Sequence, residues 1–230
     1  QNGPRTAMFI GGKNAVLALD MMSEAWEAMV PPFAMSVFAD PSGAFTTAAA
    51  MVAVVEKRLK DKTGSGLAGK NTTVFGGSGV LGFCAAVLAT QQGANVRLVG
   101  HDGDLRVKRS AADMFARFGV RVYGVDGSSE EKRQAILNDT QIILCAAKAG
   151  TRVLSANALK AAKQLMVVAD LNAIPPAGVE GINVQDDGVP ITDTPAVGIG
   201  ALVIGNVKYQ TQARLFLEMT RSDKAVVFDF

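Results

Sequence analysis

With 230 residues, 49% of them apolar, 19% charged and 24 glycine, the chain can bury a sizeable core and has the composition of an α/β protein whose sheet is covered on both faces, which excludes intrinsic disorder. A formal charge of +2, from basic residues spread along the chain, forms no stripe for a polyanion, so no nucleic-acid partner is expected. The absence of an apolar run of about 18 residues and of a signal-peptide pattern predicts no membrane partner and a cytoplasmic location, and Cys84 and Cys145, each inside an apolar run, are expected as reduced, buried thiols.

Residues 6–10 read as a short apolar strand ending in Gly11 and Gly12, and residues 14–30 follow with helical spacing until Pro31 and Pro32 stop them. A second strand is predicted over 33–38, and Asp40-Pro41-Ser42-Gly43 is turn chemistry leading to a helix over 44–60. The polar, glycine-rich stretch 61–70 is the expected joint, which gives a smaller N-terminal α/β lobe over residues 1–65. Strands are then predicted at 72–75, 96–99, 120–123, 142–145 and 165–168, separated by helices. That alternation implies a Rossmann-type, doubly wound parallel sheet over residues 66–195. A long helix over 197–220 and the fragment VVFDF form a C-terminal piece, 196–230, expected to return to the first lobe.

Directly after the strand at 72–75 comes GGSGVLG, which contains G-x-G-x-x-G at Gly77, Gly79 and Gly82. The pattern alone is weak, but a strand precedes it, an apolar helix follows and a second strand completes a βαβ unit. Gly77 is assigned to the tight turn, Gly79 to the approach of a pyrophosphate and Gly82 to close helix packing, with Ser78 and Val80 completing the loop. The free N–H groups and the positive end of the helix then face a phosphate. The competing reading is a glycine-rich turn in a sheet that binds nothing.

The next strand ends in Val99-Gly100-His101-Asp102-Gly103. A carboxylate at Asp102 accepts hydrogen bonds from ribose hydroxyls and opposes a 2′-phosphate, which favours NAD. Arg106, Lys108 and Arg109 stand one to two turns further on; they either offset Asp102 and admit NADP or form a solvated helix face. His101, the only histidine, is expected at the adenine-ribose end and cannot build a metal site, so no metal is expected.

The blocks FIGGKNAVLALDM, PPFAMSVFADPSGAFTTAAAMVA, VFGGSGVLG, LVGHDG, DLNAIPPAGVEGI and GIGALVIGNVKYQTQ resemble the bacterial NAD(P)-dependent methylenetetrahydromethanopterin dehydrogenases over essentially the whole chain. Within that family GHDG is similar to the branch that accepts both NAD and NADP, whereas the strictly NADP-dependent branch carries arginine in place of His101. Members of the family extend beyond both ends of this chain, so the resemblance implies a chain truncated at both ends with an incomplete substrate lobe. It also implies a homo-oligomer.

The resemblance implies hydride transfer from a pterin-bound methylene group to a nicotinamide cofactor in one-carbon oxidation. That step needs positioning and electrostatics but no acid or base, so no catalytic acid–base residue is expected. The pterin is expected in the cleft between the lobes, beyond the carboxyl ends of the strands. Lys13, Asn14, Asp40, Phe45, Thr46 and Thr47 follow the first two strands and are its candidate contacts, although Thr46 and Thr47 also suit a helix cap and Asp40 a turn. The resemblance places Lys208 beside the pterin, where it would orient the substrate or its acidic tail. On the cofactor side, Ala146, Ala147 and Lys148 follow the fourth Rossmann strand and Asp170 and Asn172 the fifth. Competing readings are a methylenetetrahydrofolate dehydrogenase with the same chemistry, a non-catalytic NAD(P)-sensing module, and a shikimate-type dehydrogenase in which Lys13 and Asp40 imitate a lysine–aspartate pair.

Overall fold

Residues 6–230, described here from a computed structural model, form two parallel-stranded sheets of unequal size; residues 1–5 of the predicted N-terminal lobe lie outside the described residues. In the small sheet, β1 (Ala7–Ile10) leads through α1 (Ala15–Glu27) to β2 (Ser36–Ala39). The Asn14 side chain caps α1 by accepting the Leu17 N–H at 3.1 Å. Every residue of β2 is buried, as its central place in the order β1-β2-β10 requires. The strand predicted over 33–38 begins only at Ser36, because Pro31 and Pro32 have no N–H for a ladder and residues 31–33 turn instead.

A short 3-10 turn, Pro41–Gly43, opens α2 (Ala44–Thr63). This helix continues past the predicted end at 60 and stops at Gly64, where φ is 73° and the N–H returns to the Lys60 carbonyl. In the following linker Leu67 is 1% exposed, which fastens the joint to the core.

The large sheet holds β3 (Asn71–Phe75), β4 (Asn95–Gly100), β5 (Tyr123–Asp126), β6 (Ile142–Cys145), β7 (Val167–Asp170), β8 (Asp187–Pro190) and β9 (Val197–Ile199). Its order is β5-β4-β3-β6-β7-β9-β8, with β8 alone antiparallel. The chain winds outward first to β4 and β5 and then, after crossing β3, to β6 and β7. The switch point therefore lies between β3 and β6, where Phe75 is in register with both Val99 and Cys145. The connecting helices are α3 (Val80–Gln91), α4 (Leu105–Phe118), α5 (Glu130–Leu137) and α6 (Ala156–Ala161). α3 is buried along most of its length beneath α2.

Three expectations move. The strand predicted at 120–123 becomes β5, because Val120 and Val122 are buried as anchors ahead of it rather than in the ladder. The strand at 165–168 becomes β7, two residues later. The helix predicted from residue 197 divides: Val197–Ile199 pairs with β7 as a sixth parallel strand, and α7 (Ala201–Arg221) starts after Gly200. The large sheet thus extends past residue 195, and β8, with Gly and Pro in a four-residue strand, was not foreseen.

α7 lies against α2, and β10 (Val227–Phe228) joins β2. The Phe230 ring lies tilted against Phe45 at 4.8 Å and edge-on to Phe118 at 5.5 Å, and Phe118 meets Phe83 edge-on at 6.1 Å. This ladder of rings ties α2, the chain end, α4 and α3 together, so the two sheets are held by apolar contact as well as by covalent linkers. Among the described residues no helix is long and apolar enough to cross a membrane.

Candidate active site

The loop after β3 is shaped by close contacts that only glycine permits. At Gly76 φ is 81°, and a Cβ there would lie 2.3 Å from the Ala146 carbonyl oxygen. The tight turn assigned from sequence to Gly77 therefore falls at Gly76. Gly77 instead presses toward Leu98, whose Cδ2 would be 2.6 Å from an added Cβ. A Cβ on Gly82 would come within 2.4 Å of the Gly76 oxygen, so α3 packs onto its own entry loop. Gly79 caps α3 in extended conformation with no side chain over the helix end, which leaves the first N–H groups and the positive end of the helix open.

Beyond the carboxyl ends of β3, β4 and β6 is a cavity of about 660 Å³, within the size range of small-molecule sites. Of the predicted cofactor residues, Ser78, Gly79, His101, Asp102, Ala146, Ala147 and Lys148 line it. Gly77, Val80 and Gly82 stand behind the lining as its support. The glycine cradle, the open helix end and the switch-point location fit a dinucleotide.

Just past the carboxyl end of β4, Asp102 accepts from Arg106 at 2.9 Å, and the guanidinium holds the Asp102 carboxyl below its usual range. Arg106 also lies 3.2 Å from the His101 ring. Lys108 is turned to Asp104 at 2.6 Å and is not part of the lining. Two further cations line the cavity that the sequence reading did not single out: Arg133, which donates to the Gly127 carbonyl at 3.0 Å and to Glu130 at 2.9 Å, and Arg152, which donates to Glu180 at 3.2 Å. Their only sequence signal is position after a strand end.

Asp170 and Asn172 do not line the cavity. Asp170, 3% exposed, accepts the N–H groups of Asn172 at 3.0 Å and Val179 at 2.9 Å. Asn172 accepts from Gly150 and Ile174, each at 3.0 Å, and donates to the Pro176 carbonyl at 2.9 Å. Asp170 thus organises the loop after β7, and Asn172 joins that loop to Gly150 in the loop after β6. Burial, followed by the Asp170 carboxylate, pushes the Cys145 thiol up, which keeps it protonated and unreactive.

The second group of candidates surrounds the carboxyl ends of β1 and β2. Asp40 is 1% exposed and fully engaged: it accepts the Phe45 N–H at 2.9 Å, the Thr46 N–H at 3.2 Å, the Thr46 hydroxyl at 2.7 Å and the Gln212 side-chain amide at 2.9 Å. It acts as the carboxylate that satisfies the first turn of α2. Phe45 and Thr46 are likewise buried, whereas Asn14 is exposed and commits its Oδ1 to the helix cap. Asp40, Phe45 and Thr46 therefore frame the site from within the core, and of the four only Asn14 is exposed at the surface. The Thr47 hydroxyl donates to the Gly43 carbonyl at 2.5 Å, and Lys13 is exposed beside Gly12, whose carbonyl accepts from Ser42 at 2.7 Å.

Lys208, on α7, donates to Gln212 at 2.9 Å, and an added Cβ on Gly43 would be 3.2 Å from its Cε and Nζ. Gln212, absent from the sequence reading, thus bridges Lys208 to Asp40. Burial, then the carboxylates of Asp40 and Asp229, push up the thiol of Cys84 in α3. Replacing Asp40 by Ala strands two N–H groups, a hydroxyl and an amide, with an expected loss of about 3 kcal/mol. Urea unfolding reads this directly, and a midpoint equal to that of the parent would show that water replaces the clamp.

Similarity to known structures extends over the same fold. L-alanine dehydrogenase matches with a TM-score of 0.51 at 12% identity, covering 85% of this chain and 70% of its own. Shikimate 5-dehydrogenase from Listeria monocytogenes, solved with shikimate and NAD, matches with a TM-score of 0.51 at 15% identity, covering 74% of this chain and 57% of its own. Fold and cradle together define a two-lobed, Rossmann-type dinucleotide-binding protein. In sequence, residues 1–42 match the family described as methylene-tetrahydromethanopterin dehydrogenase, N-terminal. The NAD(P)-dependent methylenetetrahydromethanopterin dehydrogenase of Methylorubrum extorquens is 50% identical over all 230 residues, which span 77% of its length. The bifunctional protein MdtA of the same organism is 29% identical over 96% of this chain and 74% of its own length. The chain belongs to the NAD(P)-dependent methylenetetrahydromethanopterin dehydrogenase family.

Proposed function

We infer that the chain is an oxidoreductase that removes hydride from methylenetetrahydromethanopterin, forming methenyltetrahydromethanopterin, with NAD or NADP as acceptor. The observation that carries this reading is 50% identity along the whole chain to the Methylorubrum enzyme of that name, together with a glycine cradle at the switch point of the sheet. Bound in the cavity, the nicotinamide supplies the hydride acceptor. Loss of hydride from a carbon between two nitrogens leaves a cation spread over all three atoms, and no proton moves. The protein therefore has to position the carbon, exclude water and leave the developing positive charge unopposed. His101 has a side chain 79% exposed at the adenosine end of the cavity, which suits a reaction without an acid or base.

We assign the pterin to the small lobe with α7, and the dinucleotide to the large sheet. Lys13, Thr47 and Lys208 are the contacts proposed for the substrate, with Asp40, Thr46 and Gln212 as the frame that orients Lys208. A cation close to the methenyl carbon would oppose hydride loss, so Lys208 is proposed to hold a distant polar or acidic part of the substrate. The exposed apolar side chains Phe9, Leu17, Met21, Phe216 and Leu217 favour self-association, for which a monomeric mass by light scattering would be the contrary result. Turnover is tested by following reduced nicotinamide in the near ultraviolet with the methanopterin or the folate substrate. Reduction with the methanopterin substrate is expected; activity confined to the folate would overturn the assignment.

A further inference from the structure

We propose that Lys148 sets the redox poise of the bound cofactor: from the nicotinamide side of the cavity, its ammonium group disfavours the cationic, oxidised ring and favours the neutral, reduced one. This rests on reading the cavity as the dinucleotide site. The cavity runs from the carboxyl ends of β4 and β5, lined there by Asp102 and Gly127, across the glycine loop after β3 to the loop after β6, where residues 146–148 and 151–153 form its wall. A dinucleotide with its adenosine ribose at the end of β4 and its pyrophosphate at the first turn of α3 has to lay its nicotinamide half along that second wall. Among the described residues, the lysine and arginine side chains that line the cavity are Arg106, Arg133, Lys148 and Arg152. Each arginine is held by a carboxylate, Arg106 by Asp102, Arg133 by Glu130 and Arg152 by Glu180. Lys148 is exposed and makes no ion pair or side-chain hydrogen bond among the described residues. Its charge is the one in the lining that no carboxylate offsets.

The backbone that carries Lys148 is braced. Its carbonyl accepts the Thr151 N–H at 3.2 Å, closing a turn in which Gly150 has a φ of 73°. The Asn172 side-chain oxygen accepts the Gly150 N–H at 3.0 Å, and the Gly178 carbonyl accepts the Val153 and Leu154 N–H groups at 2.7 and 3.1 Å. A cation on a turn held in this way keeps its place while charge moves past it, as electrostatic preorganisation requires. In the reaction the hydride carries its electron pair from the methylene carbon to the nicotinamide C4. The ring passes from cation to neutral, the N–C–N unit takes up the positive charge, and Lys148 keeps its protons. Positive charge thus leaves the large lobe for the pterin, and a cation on the large-lobe side favours that direction. The cofactor phosphates attract Lys148 as well, but equally in both redox states.

The test is the pair of dissociation constants for NAD and NADH, measured by calorimetric titration of the full chain, Lys148→Gln and Lys148→Arg, with thermal unfolding as the control for folding. Lys148 is exposed, so neither variant should unfold. Attraction to the phosphates cancels in the ratio of the two constants, which therefore isolates the charge on the ring. Two unit charges about 10 Å apart at an effective dielectric near 20 shift an equilibrium by roughly tenfold. Lys148→Gln is expected to lower the ratio Kd(NAD)/Kd(NADH) by about tenfold, equivalent to a fall of about 30 mV in the potential of the bound couple. Lys148→Arg keeps the charge and is expected to hold the ratio within about threefold of the parent. A ratio unchanged within about twofold in Lys148→Gln, whether both affinities fall together or neither moves, would overturn the proposal and leave the cavity assignment standing. Failure of the parent chain to bind either dinucleotide would overturn both.

Discussion

Gly79→Asp is expected to fold normally and to lose dinucleotide affinity by about a thousandfold. Gly79 has ordinary dihedrals, φ −86° and ψ 160°, and the nearest atom to an added Cβ is the Gly76 carbonyl oxygen at 3.3 Å. A carboxylate is therefore accommodated with little strain, and at a helix N-terminus it even satisfies free N–H groups. It does so by occupying the place where the pyrophosphate should sit. Like charges about 4 Å apart at an effective dielectric near 20 repel by about 4 kcal/mol, which corresponds to roughly three decades in Kd. A melting temperature near that of the parent, together with lost cofactor binding, is the expected pair of results. Gly82→Ala gives the contrast: its Cβ would collide with loop backbone at 2.4 Å, so it should lower thermal stability and affinity together.

Lys208→Met is the second large effect. Methionine keeps an unbranched stem beside Gly43 and removes only the ammonium group that Gln212 now orients. A lost charge-assisted hydrogen bond to the substrate should reduce kcat/KM for the pterin by about 10- to 100-fold, with cofactor Kd unmoved. If kcat/KM instead stays within about twofold, Lys208 is a surface lysine and the substrate lobe is organised around other residues.

How far the sequence anticipates the molecule depends on whether the controlling interaction is local. G-x-G-x-x-G after a strand is a local arrangement, and the cradle lies there. Yet the positive φ belongs to Gly76, because the turn is fixed by the approach of the Ala146 carbonyl just after β6, some 70 residues away. The same limit applies to Asp170 and Asn172. They follow a strand end, where ligands often bind, but their polar atoms are taken up by Val179, Gly150 and Pro176. Asp40 looked like a ligand or a turn residue and is a buried clamp, because α7 delivers Gln212 from 172 positions along the chain.

Strand placement failed for a related reason. Val120 and Val122 are apolar because they anchor the approach to β5, and burial alone does not distinguish an anchor from a ladder position. β9 was absorbed into a helical pattern, since three apolar and glycine residues run directly into α7. Arg133 and Arg152 carried no signal beyond following a strand end; the order of strands in the sheet brings them to the cavity.

The central claim is direct hydride passage from the pterin-bound carbon to the nicotinamide without a protein acid or base. It is tested most directly with methylenetetrahydromethanopterin deuterated at the methylene carbon, analysing the reduced nicotinamide by mass spectrometry and NMR after turnover by the full chain. The account predicts one deuterium at the nicotinamide C4 and none exchanged into water. Deuterium recovered in the solvent, with unlabelled reduced cofactor, would contradict it.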